Sequence, residues 1–418
     1  MYLQRAQWMS REQLIKIQTK GLRETVSHAF HKVPYYQRRF DGTIAVDGIS
    51  EANDISKLPI TTKTDFRETP IQTRTAIDAD ISRCELRSTS GTTGVPTTVL
   101  EDERSAAYRE ALNLRFLWNY GFRPLDRIAR GQFLNAAAYS KRLAETRGLW
   151  GYLRRKTVRQ HFLPDFKDQY SFLSSNKPDA LIAFSSYCRG LAKYCQSIDR
   201  SLNFRIVVTS GETLDSVTRK LIEDTFQAEV FDHYGIEEVS GSIAWECPSH
   251  SGYHINAESM ILEFLRNGQP VSAGEFGELC VTCFYKRATP IVRYCTGDIA
   301  RRVDDECPCG RGLPMLREIQ GRVLDYILTT NGRQISPHLV LNILTDVKGV
   351  QQLKVTQNRD LSIEVRIKTD MSESESIVQD VQQRCKGLFE ETPLDVKLVD
   401  RIDTVGPKFR MVESQATL

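Results

Sequence analysis

The middle of the chain alternates between strand-like and helix-like patterns, and this alternation constrains the fold more than any other sequence feature. Residues 181–186 and 205–211 are apolar, strand-like runs, and each precedes an amphipathic stretch with helical spacing. A third strand-like run, residues 229–235, closes the series. Strand–helix–strand alternation is typical of a parallel sheet covered by helices. We therefore predict an α/β fold whose large N-terminal domain is built on parallel-rich sheets and helices.

The pattern changes in the last third of the chain. Between residues 252 and 303, short strands are separated by turn residues, which predicts hairpins and a β-rich subdomain. Further on, an Asn-Gly turn, two helical patterns and several strands predict a small α+β domain. We place the N-terminal domain at residues 1–322 and the C-terminal domain at residues 323–418.

Composition excludes several partner classes. The 418 residues suggest two or three domains, and 56 Lys plus Arg against 53 Asp plus Glu give a formal charge of only +3. Such a balance gives no electrostatic reason to expect nucleic acid or an anionic membrane as a partner. No apolar run approaches the roughly 20 residues of a membrane span, and the first residues lack the apolar stretch of a signal peptide. We expect a soluble, cytoplasmic protein.

The ten cysteines are too sparse for a disulfide scaffold, which again favours a reducing cytoplasm. Cys280, Cys283 and Cys295 lie in or beside apolar, strand-like runs, where cysteine usually acts as a small core hydrophobe. We therefore expect these three thiols to be packing groups.

Three other cysteines form a candidate metal site with a nearby histidine. Cys307 and Cys309 share a Cys-Pro-Cys-Gly knuckle, and Cys247 precedes both His250 and His254. Three thiolates and one imidazole would complete a closed tetrahedral zinc site, which would be structural because no coordination position stays open. Either histidine can supply the fourth ligand, and free cytosolic thiols are the alternative to a metal site.

A Ser/Thr/Gly-rich loop, STSGTTGVPTT at residues 88–98, predicts phosphate binding. Its glycines permit backbone conformations that are closed to other residues, and its hydroxyls are short hydrogen-bond donors beside exposed backbone amides. Such a loop can wrap a polyphosphate without a fixed cation. It lacks the Gly-Lys-Ser/Thr of a Walker A loop. The alternative is a flexible linker.

This loop resembles the phosphate loop of the adenylate-forming enzymes, which include acyl-CoA synthetases, luciferases and peptide-synthetase adenylation domains. Thr97 follows the proline where many members have lysine, as in the phenylacetate–CoA ligase-like branch. Further segments match the family in order: TSGE (209–212), FDHYGIEE (231–238), GELCVT (277–282), YCTGD (294–298), GRVLD (321–325) and GPKFR (406–410). The resemblance spans roughly residues 30 to 412.

The resemblance implies an ATP site. Tyr234 would stack on adenine, Asp232 would accept a hydrogen bond from its exocyclic amine, and Asp298, after a Thr-Gly turn, would bind both ribose hydroxyls. Arg322 would contact ribose or phosphate. The remaining nucleotide-binding candidates line the phosphate loop and the adenine segments: Ser90, Gly91, Thr92, Thr93, Gly94, Ser210, Gly211, Glu212, His233 and Gly235.

Three residues are the implied catalytic groups. Glu238 would hold Mg²⁺ against phosphate oxygens, Thr93 would bind the leaving pyrophosphate, and the ammonium of Lys408 would lie between the carboxylate and the α-phosphate. The chain also departs from the family pattern. Leu324 replaces the first of two adjacent acids at the hinge of the mobile small domain, Pro407 replaces a glycine, and Glu237 replaces a Thr or Ser.

The implied reaction is ATP-dependent formation of an acyl-AMP from an aryl or other small acid, followed by transfer to coenzyme A. The acyl pocket is expected within residues 131–140, 184–187 and 231–240. Relatives of the phenylacetate–CoA ligase type favour His254 as the zinc ligand. Two alternatives stay open: an amide ligase or carrier-protein loading enzyme that uses the same adenylation, and a non-catalytic nucleotide-binding homologue. The oligomeric state also stays open, with a homodimer as one candidate.

Overall fold

The computed structural model describes residues 2–42, 48–89, 96–132, 157–161, 166–322, 325–345, 347–369, 374–402 and 410–416. The chain forms two compact units. The first contains residues 1–119 and 233–319, and the second contains residues 120–232 and 320–418. Within the described ranges, no helix is both long and apolar enough to span a membrane.

The described helices lie at the start of the chain, around its middle and in its last part. The longest, α2, begins at a capping box in which Ser10 and Gln13 bind each other's backbone N–H, and its buried face includes Leu14, Leu22 and Val26. The described α-helices are α1 (Tyr2–Ala6), α2 (Arg11–Lys32), α3 (Pro34–Phe40), α4 (Lys63–Glu68), α5 (Ile71–Arg74), α6 (Glu103–Asn119), α7 (Phe166–Asn176), α8 (Ser185–Ser197), α9 (Ser216–Phe226), α10 (Pro337–Leu344) and α11 (Ser374–Phe389). Short 3-10 helices cover Ala52–Lys57, Ile81–Arg83 and Glu237–Val239.

The strands fall into three stretches of the sequence. The first are β1 (Glu85–Ser88), β2 (Thr98–Glu101), β3 (Ile128–Gln132), β4 (Thr157–His161), β5 (Ala180–Ala183), β6 (Ile206–Ser210) and β7 (Glu229–Ile236). The second are β8 (Gly241–Glu246), β9 (Tyr253–Ile255), β10 (Met260–Arg266), β11 (Gln269–Pro270), β12 (Phe276–Cys283), β13 (Ile291–Val303) and β14 (Met315–Arg322). The last are β15 (Ile327–Leu328), β16 (Gln334–Ile335), β17 (Val350–Gln357), β18 (Ile363–Thr369), β19 (Leu394–Leu398) and β20 (Val412–Ser414).

The first unit contains the β-rich part that the turn pattern predicted. Its strands run in the order β11-β10-β12-β13-β14-β9-β8-β7. The β10–β12, β12–β13, β14–β9, β9–β8 and β8–β7 pairs are antiparallel. Apolar residues of β12 and β13, such as Leu279 and Val292, share one core with Leu22 and Val26 of α2. This packing explains why α2 carries a continuous apolar face.

The second unit contains the predicted parallel sheet. Strands β4, β3, β5 and β6 lie side by side in that order, and each neighbouring pair is parallel. Leu191 of α8 and Ile222 of α9 pack into one core with Val207 of β6 and Val230 of β7. The strand–helix–strand prediction is therefore confirmed.

The last part of the second unit is the small α+β body expected from the sequence. A β15–β16 hairpin surrounds Asn331 and Gly332, and a separate sheet has the strand order β19-β18-β17-β20. Its own core extends from Ile327 to Val412 and includes residues of α10 and α11. Strand β20 was not predicted, and it pairs in parallel with β17. The predicted domain boundary after residue 322 stays a prediction.

One cysteine prediction is wrong. Cys280 on β12 is the register partner of Cys295 on β13, and the structure joins the two as a disulfide. They are therefore not the independent packing thiols that the apolar runs suggested. Cys283 is free and fully buried, as predicted.

Candidate functional site

The candidate phosphate loop is the connection of a two-stranded hairpin in the first unit. Strands β1 and β2 are antiparallel, with Ser88 opposite Thr98. Beyond that pair, the Thr89 N–H donates to the Thr97 carbonyl at 2.9 Å, and the Thr97 N–H donates to Thr89 Oγ1 at 2.9 Å. The hairpin therefore fixes both ends of the loop. The loop candidates themselves lie outside the described residues: Ser90, Gly91, Thr92, Thr93 and Gly94.

Buried ion pairs hold the foot of this hairpin. The carboxylate of Glu101, at the end of β2, is fully buried. Its Oε2 is 3.3 Å from Arg87 Nε on β1, and its Oε1 is 3.1 Å from Arg109 Nε on α6. A buried carboxylate is stable only when its charge is matched in this way. The two ion pairs therefore tie both strands of the hairpin to α6.

Glu238, the candidate magnesium ligand, lies in the 3-10 turn that follows β7. Only 4% of the residue is exposed, and its Oε1 accepts a hydrogen bond from the Tyr294 hydroxyl at 2.8 Å. Burial raises the pKa of Tyr294, and the Glu238 carboxylate raises it further, so the phenol remains a donor. Lys63 Nζ lies 3.5 Å from the same oxygen.

This carboxylate fits a magnesium ion that is shared with a nucleotide. Both of the contacts above use Oε1. Magnesium is commonly held by one or two protein carboxylates together with substrate phosphates and water. Glu238 can therefore supply the protein ligand through Oε2.

Lys63 is a residue that the sequence analysis missed. It is the first residue of α4, whose N-terminus is fixed by a capping box between Thr62 and Asp65. The capping box was the only local signal, and it indicates a helix start without indicating what the helix faces. The contact with Glu238 depends on long-range folding and could not be read from a motif.

Tyr234 and Asp298, the adenine and ribose candidates, are brought together in the first unit. The Tyr234 hydroxyl donates to Asp298 Oδ2 at 2.7 Å. Tyr234 belongs to β7, and Gly235 beside it is required by packing, because a Cβ there would lie 2.4 Å from the Gly241 carbonyl oxygen. The hydrogen bond orients the carboxylate and leaves Oδ1 outside this contact.

The expected Thr-Gly turn before Asp298 is a bulge within a strand, which corrects the prediction. Glu278 on β12 pairs with Ile299 on β13, whereas Cys280 pairs with Cys295. Residues 296–298 therefore lie opposite the single residue Leu279. Gly297 adopts φ +81°, a conformation that favours glycine. Bulges commonly re-aim a side chain next to a binding site, and this one places the Asp298 side chain beside Tyr234.

His233 and Arg322, two further nucleotide-binding candidates, lie in different surroundings. The ring of His233 lies 4.3 Å from that of Phe116, centroid to centroid, which favours a packing role over a nucleotide contact. Arg322 is half-buried as the last residue of β14. Nearby in the sequence, Asp325 is buried and forms an ion pair with Arg410.

In the second unit, the adenine candidates lie at or beside the carboxyl end of the parallel strand β6. Thr209 Oγ1 donates to Asp232 Oδ1 at 2.6 Å, and Ser210 and Gly211 follow at the end of β6. Glu212 Oε2 accepts the Ser186 N–H at 2.9 Å, so this carboxylate binds the N-terminus of α8. The carboxyl ends of parallel strands are the usual ligand-binding edge of an α/β sheet.

Two further groups of candidates lie partly or wholly outside the described residues. Lys408 is one of them. Of the predicted acyl-pocket segments, residues 133–140 are also outside, while residues 184–187 begin α8 and residues 231–240 contain the end of β7 and the Glu238 turn.

The four metal-ligand candidates converge in the first unit. The ligand atoms of Cys247, His254, Cys307 and Cys309 all lie within 4.8 Å of one another. Cys247 Sγ is 3.4 Å from Cys307 Sγ, and His254 Nε2 is 3.2 Å from Cys309 Sγ. Ligands of a tetrahedral zinc ion are spaced by about 3.3–3.8 Å, given zinc–sulfur and zinc–nitrogen bonds of about 2.3 and 2.0 Å. This cluster therefore has the donor set and the size of a zinc site.

The surroundings of His254 suit a neutral ligand. Burial lowers its pKa to about 4, so the ring is uncharged at neutral pH. Its Nδ1 lies 3.4 Å from the Leu313 carbonyl oxygen, an acceptor, which leaves the lone pair on Nε2 facing Cys309. Hydrogen-bond donors surround the Cys307 thiol. Burial opposes its ionisation, but hydrogen bonds from Ser251 and from the Cys309 backbone lower the pKa of the thiol overall.

His250, the competing ligand, faces away from this cluster. Its backbone has a left-handed conformation with φ +52°, and its backbone N–H donates to the Cys247 carbonyl at 2.7 Å. Its Nδ1 lies 2.9 Å from Glu246 Oε1. The geometry therefore favours His254 as the fourth donor.

Comparisons with known proteins gave relatives across nearly the whole chain, although no family model matches. Phenylacetate-coenzyme A ligase of Escherichia coli (strain K12) is 28% identical over 395 residues, which cover 90% of this chain and 86% of that protein. Phenylacetate-coenzyme A ligase of Thermus thermophilus is 26% identical over 390 residues, covering 89% and 85%.

Solved structures share the fold. The 2-hydroxyisobutyryl-CoA ligase in its postadenylation state, in complex with 2-HIB-AMP, has a TM-score of 0.81 at 21% identity and covers 98% of this chain and 91% of that one. The same ligase with 2-HIB-AMP and CoA in the thioesterification state has a TM-score of 0.67 at 21% identity, with 99% and 92% coverage.

Proposed function

Since the chain is related to the phenylacetate–coenzyme A ligases of the adenylate-forming superfamily, we propose that it activates a carboxylic acid with ATP and transfers the acyl group to coenzyme A. It is an AMP-forming acid–thiol ligase. The acid carboxylate attacks the α-phosphate of ATP, forming a new C–O–P linkage while the bond to pyrophosphate breaks. The coenzyme A thiol then attacks the acyl carbon and AMP leaves.

The observation that carries this proposal is the joining of two motifs that lie far apart in the sequence. Tyr234 and Glu238 come from one motif, and Tyr294 and Asp298 come from the other. Two hydrogen bonds, Tyr234 to Asp298 and Tyr294 to Glu238, connect them at 2.7 and 2.8 Å. An aromatic face, a ribose acceptor and a metal carboxylate are the groups that an ATP site requires.

Each residue has a separate task in the proposed reaction. Asp298 holds ribose, Tyr234 packs against adenine and orients Asp298, and Glu238 holds a magnesium ion. When bound, magnesium neutralises charge on the phosphate oxygens. Lys408 stabilises the charge that develops as pyrophosphate leaves, and Thr93 donates a hydrogen bond to the pyrophosphate.

Replacing Asp298 by Ala should raise the KM for ATP and lower kcat/KM about 10- to 100-fold, because hydrogen bonds to a charged group contribute about 1.5–3 kcal/mol each. Ribose is bound in both the ground state and the transition state, so kcat should change less than KM. Tyr234→Phe is the matched control for orientation alone, and a smaller rise in KM is expected. Steady-state kinetics over a range of ATP concentrations measure both. A normal ATP dependence in Asp298→Ala would remove Asp298 from the site.

We assign a structural zinc ion to Cys247, His254, Cys307 and Cys309. Three thiolates and a neutral imidazole favour zinc over the harder divalent ions, and four protein ligands leave no position for a substrate. The cluster connects the end of β8 and strand β9 to the loop before β14. The zinc ion therefore stabilises the fold and takes no part in the reaction.

In this proposal, the substrate is an aryl or other small organic acid. An assay over a panel of acids tests the identity of both the acid substrate and the acyl acceptor. Purified protein is incubated with ATP, magnesium and each acid, with coenzyme A or with hydroxylamine as a chemical trap for acyl-AMP, and AMP and acyl products are quantified. We expect AMP formation with one class of small acids and an acyl-CoA product. Acyl-hydroxamate reports the adenylation step alone, whereas acid-dependent AMP and hydroxamate formation with no acyl-CoA when coenzyme A is supplied would favour the amide-ligase or carrier-loading alternative. Failure of every acid to give AMP would contradict the ligase proposal.

A further inference from the structure

One short segment, Tyr285–Thr289, is bonded to the foot of the phosphate hairpin. The Leu100 N–H of β2 donates to Thr289 Oγ1 at 3.0 Å, and the Ala288 N–H donates to Asp102 Oδ2 at 3.1 Å. The Ser105 hydroxyl of α6 donates to the Tyr285 carbonyl at 2.7 Å. The segment is therefore fixed to residues that continue directly from β2.

The same segment holds the turn that carries Glu238. The Tyr285 hydroxyl donates to the Val239 carbonyl at 2.9 Å, and Lys286 Nζ donates to Ser240 Oγ at 2.7 Å. Ser240 ends the turn in a left-handed conformation with φ +58°, and its N–H donates to the Glu237 carbonyl at 2.8 Å. Two adjacent residues thus bind the two residues that follow Glu238.

Lys286 is an unusual group for this position because it is a lysine and only 1% exposed. An unpaired buried ammonium is strongly unfavourable. Burial lowers the pKa of Lys286, whereas the charges of Glu101, Cys283 and Asp102 favour its ammonium form and that of Arg87 opposes it. The contact that the buried Lys286 side chain makes is its hydrogen bond to Ser240 Oγ, so this side chain holds the end of the turn.

We propose that Lys286 is a positioning residue for the magnesium–ATP complex. It extends from a segment that is hydrogen-bonded to the foot of the phosphate hairpin, and it fixes the Ser240 end of the turn and thereby the direction of the Glu238 carboxylate. Its hydrogen bond to Ser240 restrains the turn and so preorganises the metal ligand. The inference rests on the proposed ATP site, and it adds a residue that lies outside the segments matched to the family above.

The test compares ATP binding with and without the metal, which requires no knowledge of the acid. Isothermal titration calorimetry measures the dissociation constant of ATP in excess Mg²⁺ and in EDTA for the wild type, Lys286→Met and Ser240→Ala. The ratio of the two constants is the gain in affinity that magnesium provides. We expect this gain to fall about tenfold in Lys286→Met and several-fold in Ser240→Ala, the size expected for loss of one hydrogen bond from a charged group.

Lys193→Met is the control, because Lys193 is a half-buried lysine that also donates to an oxygen, the Val350 carbonyl. Burial lowers the pKa of Lys193 to about 7, and its ammonium binds the Val350 carbonyl in the second unit. We expect the magnesium gain to be unchanged in this variant. Ser240→Ala separates positioning from the effect of removing a buried lysine, since it keeps the Lys286 side chain and removes only its acceptor.

An unchanged magnesium gain in folded Lys286→Met would overturn the inference, and so would a loss in Lys286→Met with no loss in Ser240→Ala. If Lys286→Met does not fold, judged by circular dichroism, Ser240→Ala decides alone, and its full gain overturns the inference. Failure of the proposed function has a different outcome, in which the wild type itself does not bind magnesium–ATP. Wild-type binding with unaffected variants would contradict only the role of Lys286.

Discussion

Replacing Lys408 by Ala is expected to lower acid-dependent acyl-AMP formation about 100- to 1,000-fold, the effect of removing one group that stabilises charge in a transition state. The ammonium matters chiefly as pyrophosphate leaves, so the loss should appear in kcat, with the affinity for ATP nearly unchanged. Pyrophosphate release, measured with an acid that the wild-type protein activates, reports the first step. Calorimetry measures ATP binding.

A chemically supplied acyl-AMP separates the two half-reactions in this variant. Its conversion to acyl-CoA should survive, because the adenylation step has been bypassed. Lys397→Ala is a suitable control, since Lys397 is an exposed lysine of β19 that forms an ion pair with Glu364 at 2.9 Å. We expect normal adenylation in this control. Adenylation that persists unchanged in Lys408→Ala would remove Lys408 from the mechanism.

Changing Cys307 to Ser should remove most of the bound zinc and lower the melting temperature by about 5–10 °C. Zinc that binds only the folded state stabilises it by linkage, and loss of one thiolate weakens that binding. Elemental analysis of protein purified without chelator should give about one zinc per wild-type chain. Cys84→Ser makes the same chemical change at a free thiol outside the cluster, and it should keep both zinc and stability.

The two histidine variants test the ligand set directly. His254→Ala should release zinc readily to a chelator, whereas His250→Ala should retain it, because only His254 directs a ring nitrogen at the cysteines. Wild-type protein without zinc would contradict the site. Full zinc occupancy in Cys307→Ser would show that the ligand set is wrong.

The sequence predicts the parts of this molecule that depend on local pattern. The parallel strands of the second unit and the antiparallel strands of the first follow from the spacing of apolar and turn residues. The cysteine and histidine cluster was also readable, because the Cys-Pro-Cys-Gly knuckle is hard to explain by packing and matches a metal-binding chemistry.

Features set by strand register were not predictable. The bulge that places Asp298 beside Tyr234 needs two extra residues on β13 relative to β12, and no residue type signals that count. The pairing of Cys280 with Cys295 depends on the same register, so the two thiols appeared independent in the sequence.

Contacts that join distant segments were missed for a related reason. Lys63 reaches Glu238 from the start of α4, and Lys286 reaches Ser240 from the segment before β13. A lysine carries no local mark of its partner, and only folding brings these ammonium groups to the turn after β7. Motif matching therefore found the acid and missed both lysines near it.

Acid-dependent exchange of labelled pyrophosphate into ATP, measured without coenzyme A, tests the central claim most directly. The exchange requires reversible formation of an acyl-AMP and does not require the second step. We predict exchange that depends on magnesium and on a small organic acid, and that proceeds in the absence of coenzyme A. A broad acid panel that supports no exchange, or products that are ADP and phosphate, would contradict the account.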